Sequence, residues 1–180
     1  FTTTSRIEQS NLKGDRSRKN YTDLYFSKTS ADGTYGTPVP LPGEVNDRLH
    51  DGMACFSEDG KTMYFTRNNK GGKAEDGVVD LKICSAELVD GKWINVKDLS
   101  FNHKRYSNCH PTLSSDGRKM YFASSRPGGF GGMDLYVSEL KEGKWQEPTN
   151  LGAATNTSGN EIFPFYGEGG NLFFSSDGHG

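Results

Sequence analysis

Four histidines, three cysteines and a recurring set of aspartates are the side chains of this 180-residue chain that could do chemistry. His50, His103, His110 and His179 show neither H-x-x-x-H nor H-E-x-x-H, the spacings that place two imidazoles on one metal. Cys55, Cys84 and Cys109 include no C-x-x-C, and an odd count leaves a thiol outside any disulfide framework. They read as small buried or half-buried thiols. No G-x-S-x-G nucleophile elbow occurs, so Ser114 and Ser115 read as turn residues. Asp32, Asp59, Asp90 and Asp116 each stand beside a glycine, as in turns, rather than clustered as calcium ligands. The residues therefore predict no catalytic centre, no metal and no cofactor. Two facing carboxylates for glycoside cleavage cannot be paired from sequence.

The elements that carry these residues repeat. Ser57-Glu-Asp-Gly-Lys-Thr-Met-Tyr-Phe65 matches Ser114-Ser-Asp-Gly-Arg-Lys-Met-Tyr-Phe122, 57 residues on. A looser copy, Gly167-Glu-Gly-Gly-Asn-Leu-Phe-Phe174, ends 52 residues later. Asp23-Leu-Tyr, Asp80-Leu-Lys and Asp134-Leu-Tyr step by 57 and 54. A turn followed by an aromatic recurs at Tyr35, Trp93 and Trp145, each with a Leu six residues later (Leu41, Leu99, Leu151). A fourth phrase places Met53, His110 and Phe163 at one position, which makes His110 a packed residue rather than a base. Order, spacing and chemistry recur together with a period of about 55, the mark of a repeat architecture.

Each phrase is a strand or a turn. Short aromatic or β-branched runs are bounded by Asp-Gly hairpin signals, and no sustained 3.6-residue pattern predicts helix. The third unit reads as strands near 109–114, 118–124, 133–140 and 144–149. A lone four-stranded antiparallel sheet cannot bury both faces, and stacking such sheets around an axis does so. The expected fold is all-β, a β-propeller of four-stranded blades. Residues 1–46 give part of blade one, 47–103 blade two, 104–156 blade three and 157–180 the start of blade four. About three blades fall short of the roughly 4–8 of a closed propeller, so the chain reads as part of one. Tyr35, Trp93 and Trp145 are expected to pack between blades. Asp23, Asp80 and Asp134 are expected to accept backbone N–H bonds from the loops before them.

Composition narrows the function. The 23 Gly, 11 Phe, 8 Tyr and 2 Trp suit short strands and tight turns and argue against disorder. A net charge of −2 supplies no basic field for nucleic acid. No apolar run reaches the roughly 18 residues of a membrane span.

The phrases resemble the WD40-like repeats called PD40. The run Ser114–Tyr136 with its Pro-Gly-Gly-Phe-Gly-Gly loop, Gly143-Lys-Trp-Gln-Glu-Pro-Thr-Asn-Leu-Gly152 and Asn160-Glu-Ile-Phe-Pro164 is similar to the repeat of Bacteroidetes OmpA-family outer-membrane lipoproteins. That likeness covers nearly the whole chain and includes the PorE-like proteins associated with type IX secretion. It implies a non-catalytic interaction module at the periplasmic face of the outer membrane. Its partners would be envelope proteins, and peptidoglycan would be reached only through a domain outside these residues. Two blades depart from the pattern: a polar stretch fills 7–20, and Asn68–Gly77 replaces the glycine-rich loop.

Two other roles suit such a propeller: gating a serine peptidase, and binding or cleaving glycans. In a propeller, the loop after the second strand and the loop between blades share a face. This puts Arg6, Arg67 and Arg126 near Tyr106, Asn108, Asn156 and Asn160, the candidate binding residues. Arg, Tyr and Asn suit a protein loop or a sugar chain. The locally basic stretch with Lys13, Arg16, Arg18 and Lys19 reads as a surface loop.

Overall fold

A computed structural model describes residues 2–4, 21–47, 49–73 and 79–180. Its strands form four antiparallel sheets, in the order in which the repeats occur. Sheet I joins β1 (Thr2–Thr4), β2 (Thr22–Phe26) and β3 (Val39–Pro40). Sheet II is the meander β4 (Asp51–Phe56), β5 (Thr62–Lys73), β6 (Val79–Val89) and β7 (Lys92–Asp98). Sheet III runs β8 (Asn108–Leu113), β9 (Lys119–Ser124), β10 (Asp134–Lys141) and β11 (Lys144–Trp145), with β12 (Thr149–Asn150) also on β10. Sheet IV pairs β13 (Glu161–Tyr166) with β14 (Leu172–Ser176). Among the described residues, helix is limited to one 3₁₀ turn at Glu168–Gly170. None is long and apolar enough to cross a membrane.

The repeated turn phrase works through its side chains. Ser57 Oγ donates to Asp59 Oδ1 at 2.6 Å, and that oxygen also accepts the Lys61 N–H. Ser114, Asp116 and Arg118 repeat the arrangement with the same 2.6 Å bond. Gly60 and Gly117 follow at φ 67° and 65°, a conformation that a Cβ would strain. The serine hydroxyl and the backbone amide hold both aspartates below the ordinary carboxylate range.

The core lies between sheets. Leu24 and Val45 pack with Met63, Phe65, Cys84 and Trp93 between sheets I and II. Ile83 and Phe101 pack with Met120, Phe122, Tyr136 and Trp145 between sheets II and III. Each tryptophan thus seals its own blade against the one before, and Tyr64 meets Trp145 edge-on at 5.6 Å. Tyr35 does not follow. It is 70% exposed, because among the described residues no sheet stands before sheet I for it to cover. Strands β4, β8 and β13, the first of their sheets, lie side by side, so the blades converge on one axis. The molecule is a β-propeller in architecture.

Candidate functional site

The face that carries the candidate residues is built by three loops. The loop from β9 to β10 (125–133) is fastened to the loop before β8: Ser125 N–H donates to Ser107 O, and Ser107 N–H to Ser125 Oγ. It is fastened equally to the loop before β13, where Gly132 N–H donates to Gly159 O and Met133 N–H to Asn160 Oδ1. The expected juxtaposition of these loops is therefore present.

Three asparagines hold the loops to the blades. Asn46 Oδ1 accepts the Leu24 N–H and its Nδ2 donates to Leu24 O. Asn102 does the same with Ile83, and Asn156 with Leu135. Each amide imitates a paired backbone residue and extends the ladder of a third strand whose fourth strand has turned away. Leu41, Leu99 and Leu151 donate their N–H groups to the same three carbonyls. The three asparagines stand 56 and 54 residues apart, so the repeat period carried the signal that would have found all of them.

A second repeated device closes the top of each inner strand. Asp51, Asn108 and Glu161 are all fully buried. Asp51 grips Arg67 through Nε–Oδ1 at 2.6 Å and Nη2–Oδ2 at 2.8 Å, and accepts the Asn46 N–H. Burial is the largest single influence and lowers the Arg67 pKa, but the hydrogen bond and charge of Asp51, together with smaller contributions including Asp47, raise the value overall. Glu161 accepts from Thr157 and Ser176. Asn108 donates to Phe101 O at 3.4 Å, while its Oδ1 is buried without a partner.

Arg126 is placed differently. Its guanidinium lies over two rings, 5.4 Å from the centre of Tyr106 and 5.0 Å from that of Tyr136. Nη1 donates to Glu147 Oε1 at 2.9 Å, and Nε reaches Ser124 Oγ at 3.4 Å. Nη2 is buried with no acceptor. Tyr106 stacks in turn on His103 at 4.9 Å, and His103, Lys104, Arg105 and Phe130 are exposed around it. Tyrosine faces attract a cation, so the cage fixes the guanidinium, whose side chain is 9% exposed, beneath the Glu147 carboxylate.

Near the axis, Met53, His110 and Phe163 sit at positive φ (38°, 58° and 54°), each at a break in strand register. His110 N–H donates to Thr66 Oγ1 of the preceding blade. Ala123 occupies the position equivalent to Thr66 and has no hydroxyl. Phe163 N–H instead meets His110 Nδ1 at 3.4 Å, and the two rings stack at 4.2 Å. An accepting Nδ1 must be unprotonated, which agrees with burial pushing the His110 pKa down to about 4.

Of the candidate binding residues, Arg126 and Tyr106 are in contact. Arg67, Asn108 and Asn156 are buried and bonded to the scaffold beneath, and half-buried Asn160 bridges Met133 and Asp177. Arg6 lies outside the described residues. Among the recurring aspartates, Asp134 accepts the Phe130 and Gly131 N–H groups of the glycine-rich loop, as expected, and also Asn150 Nδ2. Asp80 instead receives Ser107 Oγ at 3.4 Å, and its Oδ2 is buried without a partner. The thiols are free, Cys55 half-buried and Cys84 and Cys109 buried, each pushed up to about 12 chiefly by burial.

No family model and no curated protein sequence matches this chain. Solved structures do. A puromycin hydrolase S511A mutant complexed with PGG aligns at TM-score 0.55 and 17% identity, over 86% of this chain and 24% of that one. A puromycin-hydrolysing peptidase of Mycobacterium tuberculosis aligns at TM-score 0.54 and 15% identity, over 88% of this chain and 28% of that one. This chain thus spans about a quarter of the length of those peptidases. Likeness at such identity concerns the backbone alone, and with the converging sheets it fixes the fold as a β-propeller.

Proposed function

We propose that this chain is a non-catalytic protein-interaction propeller that receives its partner on the loop face around Arg126. The observation that carries this reading is the exposed basic run His103, Lys104 and Arg105, held at the face by the stack of Tyr106 on His103 and on the caged Arg126 guanidinium. Arg and aromatic anchors of this kind dominate protein interfaces. Side chains that could have been catalytic have structural work instead: His110 is a neutral acceptor between blades, Ser114 and Asp116 lock a turn, and the thiols are suppressed. Arg67, Asn108, Asn156 and Asn160 support the face from beneath.

The repeat phrases favour a setting at the periplasmic face of the outer membrane, in an OmpA-family protein of a cell-envelope or secretion assembly. Peptidoglycan would be engaged by a separate domain. The experiment is cross-linking pull-down from envelope fractions with the wild type and Arg126→Ala. Recovery of an envelope protein by the wild type and its loss in the variant are expected. Equal recovery by both would remove the assigned face.

A second reading, a propeller that gates a serine peptidase, is favoured by the shared fold of the puromycin-hydrolysing enzymes. A hydrolase segment with G-x-S-x-G encoded in the same gene would select it.

A further inference from the structure

The loop between β7 and β8 differs from its counterparts in the repeat. Four residues separate Asn46 from Asp51 (47–50) and Asn156 from Glu161 (157–160), but five separate Asn102 from Asn108 (103–107). Both ends are anchored as in the other blades, by the paired bonds of Asn102 to Ile83 and by the buried side chain of Asn108. The added residue therefore bows the loop outward. In the shorter loops the side chains turn back to the scaffold: His50 Nδ1 accepts the Thr22 N–H, Thr157 Oγ1 donates to Glu161, and Asn160 Nδ2 donates to Asp177. In the longer loop His103, Lys104 and Arg105 are exposed. Among the described residues neither Lys104 nor Arg105 pairs with a carboxylate.

The loop is nonetheless held in one shape. Asn69 Nδ2 donates to His103 O at 3.1 Å, and the Arg105 N–H donates to His103 Nδ1 at 3.2 Å. The His103 ring stacks on Tyr106, whose own ring lies on Arg126. With Nδ1 accepting, a neutral His103 carries its proton on Nε2. The ring, the Lys104 ammonium and the Arg105 guanidinium thus offer donors and no acceptor. Given the reading of this face as the interaction surface, on which the inference rests, we propose that the loop receives an acidic polypeptide segment, a short run of Asp and Glu carboxylates on the partner. Ionised carboxylates only accept, and Glu147 on Arg126 at 2.9 Å is one such group already seated on the same stack. Adjacent donors suit a few carboxylates, whereas a nucleic acid calls for an extended basic field that a chain of net charge −2 lacks. A loop fixed beforehand also lowers the ordering cost of binding.

The test uses the full chain and a fluorescein-labelled octaglutamate peptide, read by fluorescence anisotropy at about 20 mM salt, where exposed charges are little screened. Saturable binding is expected, weaker by about tenfold or more when Lys104→Glu and Arg105→Glu are combined. Combining Lys104→Gln with Arg105→Gln should give a smaller loss, since it removes charge without reversing it. A control pairs Lys92→Glu with Lys144→Glu, exposed lysines of the β6–β7 and β10–β11 hairpins at the other end of the strands, and should stay within about twofold of wild type. All four side chains are exposed, so the urea midpoint checks that each variant keeps the fold. Equal losses in loop and control variants would reduce the binding to overall charge and overturn the proposal. So would absence of saturation, binding indifferent to the loop variants, or tighter binding of a single-stranded octanucleotide at the same loop. The envelope pull-down separates this inference from the reading beneath it. Capture lost in the loop Glu variant although octaglutamate never binds would keep the face and remove its acidic chemistry. Capture undiminished by both that variant and Arg126→Ala would remove the face, and the proposal with it.

Discussion

Arg67 lies within β5, at the repeat position of Ser124, and Arg126 lies two residues beyond the end of β9, yet both have an aromatic ring beneath the guanidinium. Arg67 is closed, donating two bonds to a fully buried carboxylate that also accepts the Asn46 N–H of the loop before β4. Arg126 is caged by tyrosines and is nearly as buried, at 9% against 7% for the Arg67 side chain, but the carboxylate it touches is 79% exposed. The contrast teaches that residue type alone does not fix how a side chain is used. What differs is the counter-ion: the Asp51 side chain is 0% exposed and sealed in the scaffold, and the Glu147 side chain is 79% exposed and open to exchange with solvent.

The comparison breaks most readily at the closed end. Asp51→Ala leaves Arg67 buried without its counter-ion and should destabilise by about 3–5 kcal/mol, seen as a lower urea midpoint. A loss below about 1 kcal/mol would mean that Arg67 is as free as Arg126. Next in size, Asn156→Ala strands the Leu135 N–H and should cost about 1–3 kcal/mol. Asn102→Ala should match it, because Asn102 makes the same two bonds to Ile83.

His110 extends the closed class to a titratable group. In the unfolded chain it takes up a proton near 6.5, and in the folded chain only near 4. The unfolded state therefore binds more protons between those values. Stability is full above pH 6.5 and declines as the pH falls toward 4, by on the order of 2 kcal/mol after allowance for partial exposure. His110→Gln should flatten that part of the profile in urea titrations at pH 4.5 and 7.5. The turn aspartates Asp59 and Asp116 are held below their ordinary 3.8, so their contribution is present above that value and lost at lower pH than this window.

The open end should respond least in stability. Glu147→Gln removes an exposed partner and should shift unfolding by less than about 0.5 kcal/mol, while strengthening capture of an acidic partner by Arg126. Tyr106→Leu should cost about 0.5–1 kcal/mol in stability and weaken the same capture. Stability losses as large as that of Asp51→Ala at either position would erase the distinction.

The period, the hairpins and the three blades' worth of strands were legible because turn chemistry and strand patterning are local and recur. Ser-x-Asp-Gly writes its own hydrogen bonds, and Trp93 and Trp145 pack as their position predicts. Tyr35 shows the limit, since the same phrase is exposed where none of the described residues packs against it as a preceding sheet. The asparagine ladder was legible in principle, but its role as a surrogate strand depends on where the fourth strand bends.

The sequence by itself determined that similar sheets must stand around an axis, because alternating apolar strands joined by tight turns leave each sheet two faces to bury. Only the tertiary structure decided which polar side chains are tied into the scaffold and which stay at its surface. Arg67 and Asn156 are chemically as able to reach solvent as His103, Lys104 and Arg105. Burial and the geometry of their neighbours tie them to Asp51 and Leu135, and no local pattern encodes that difference.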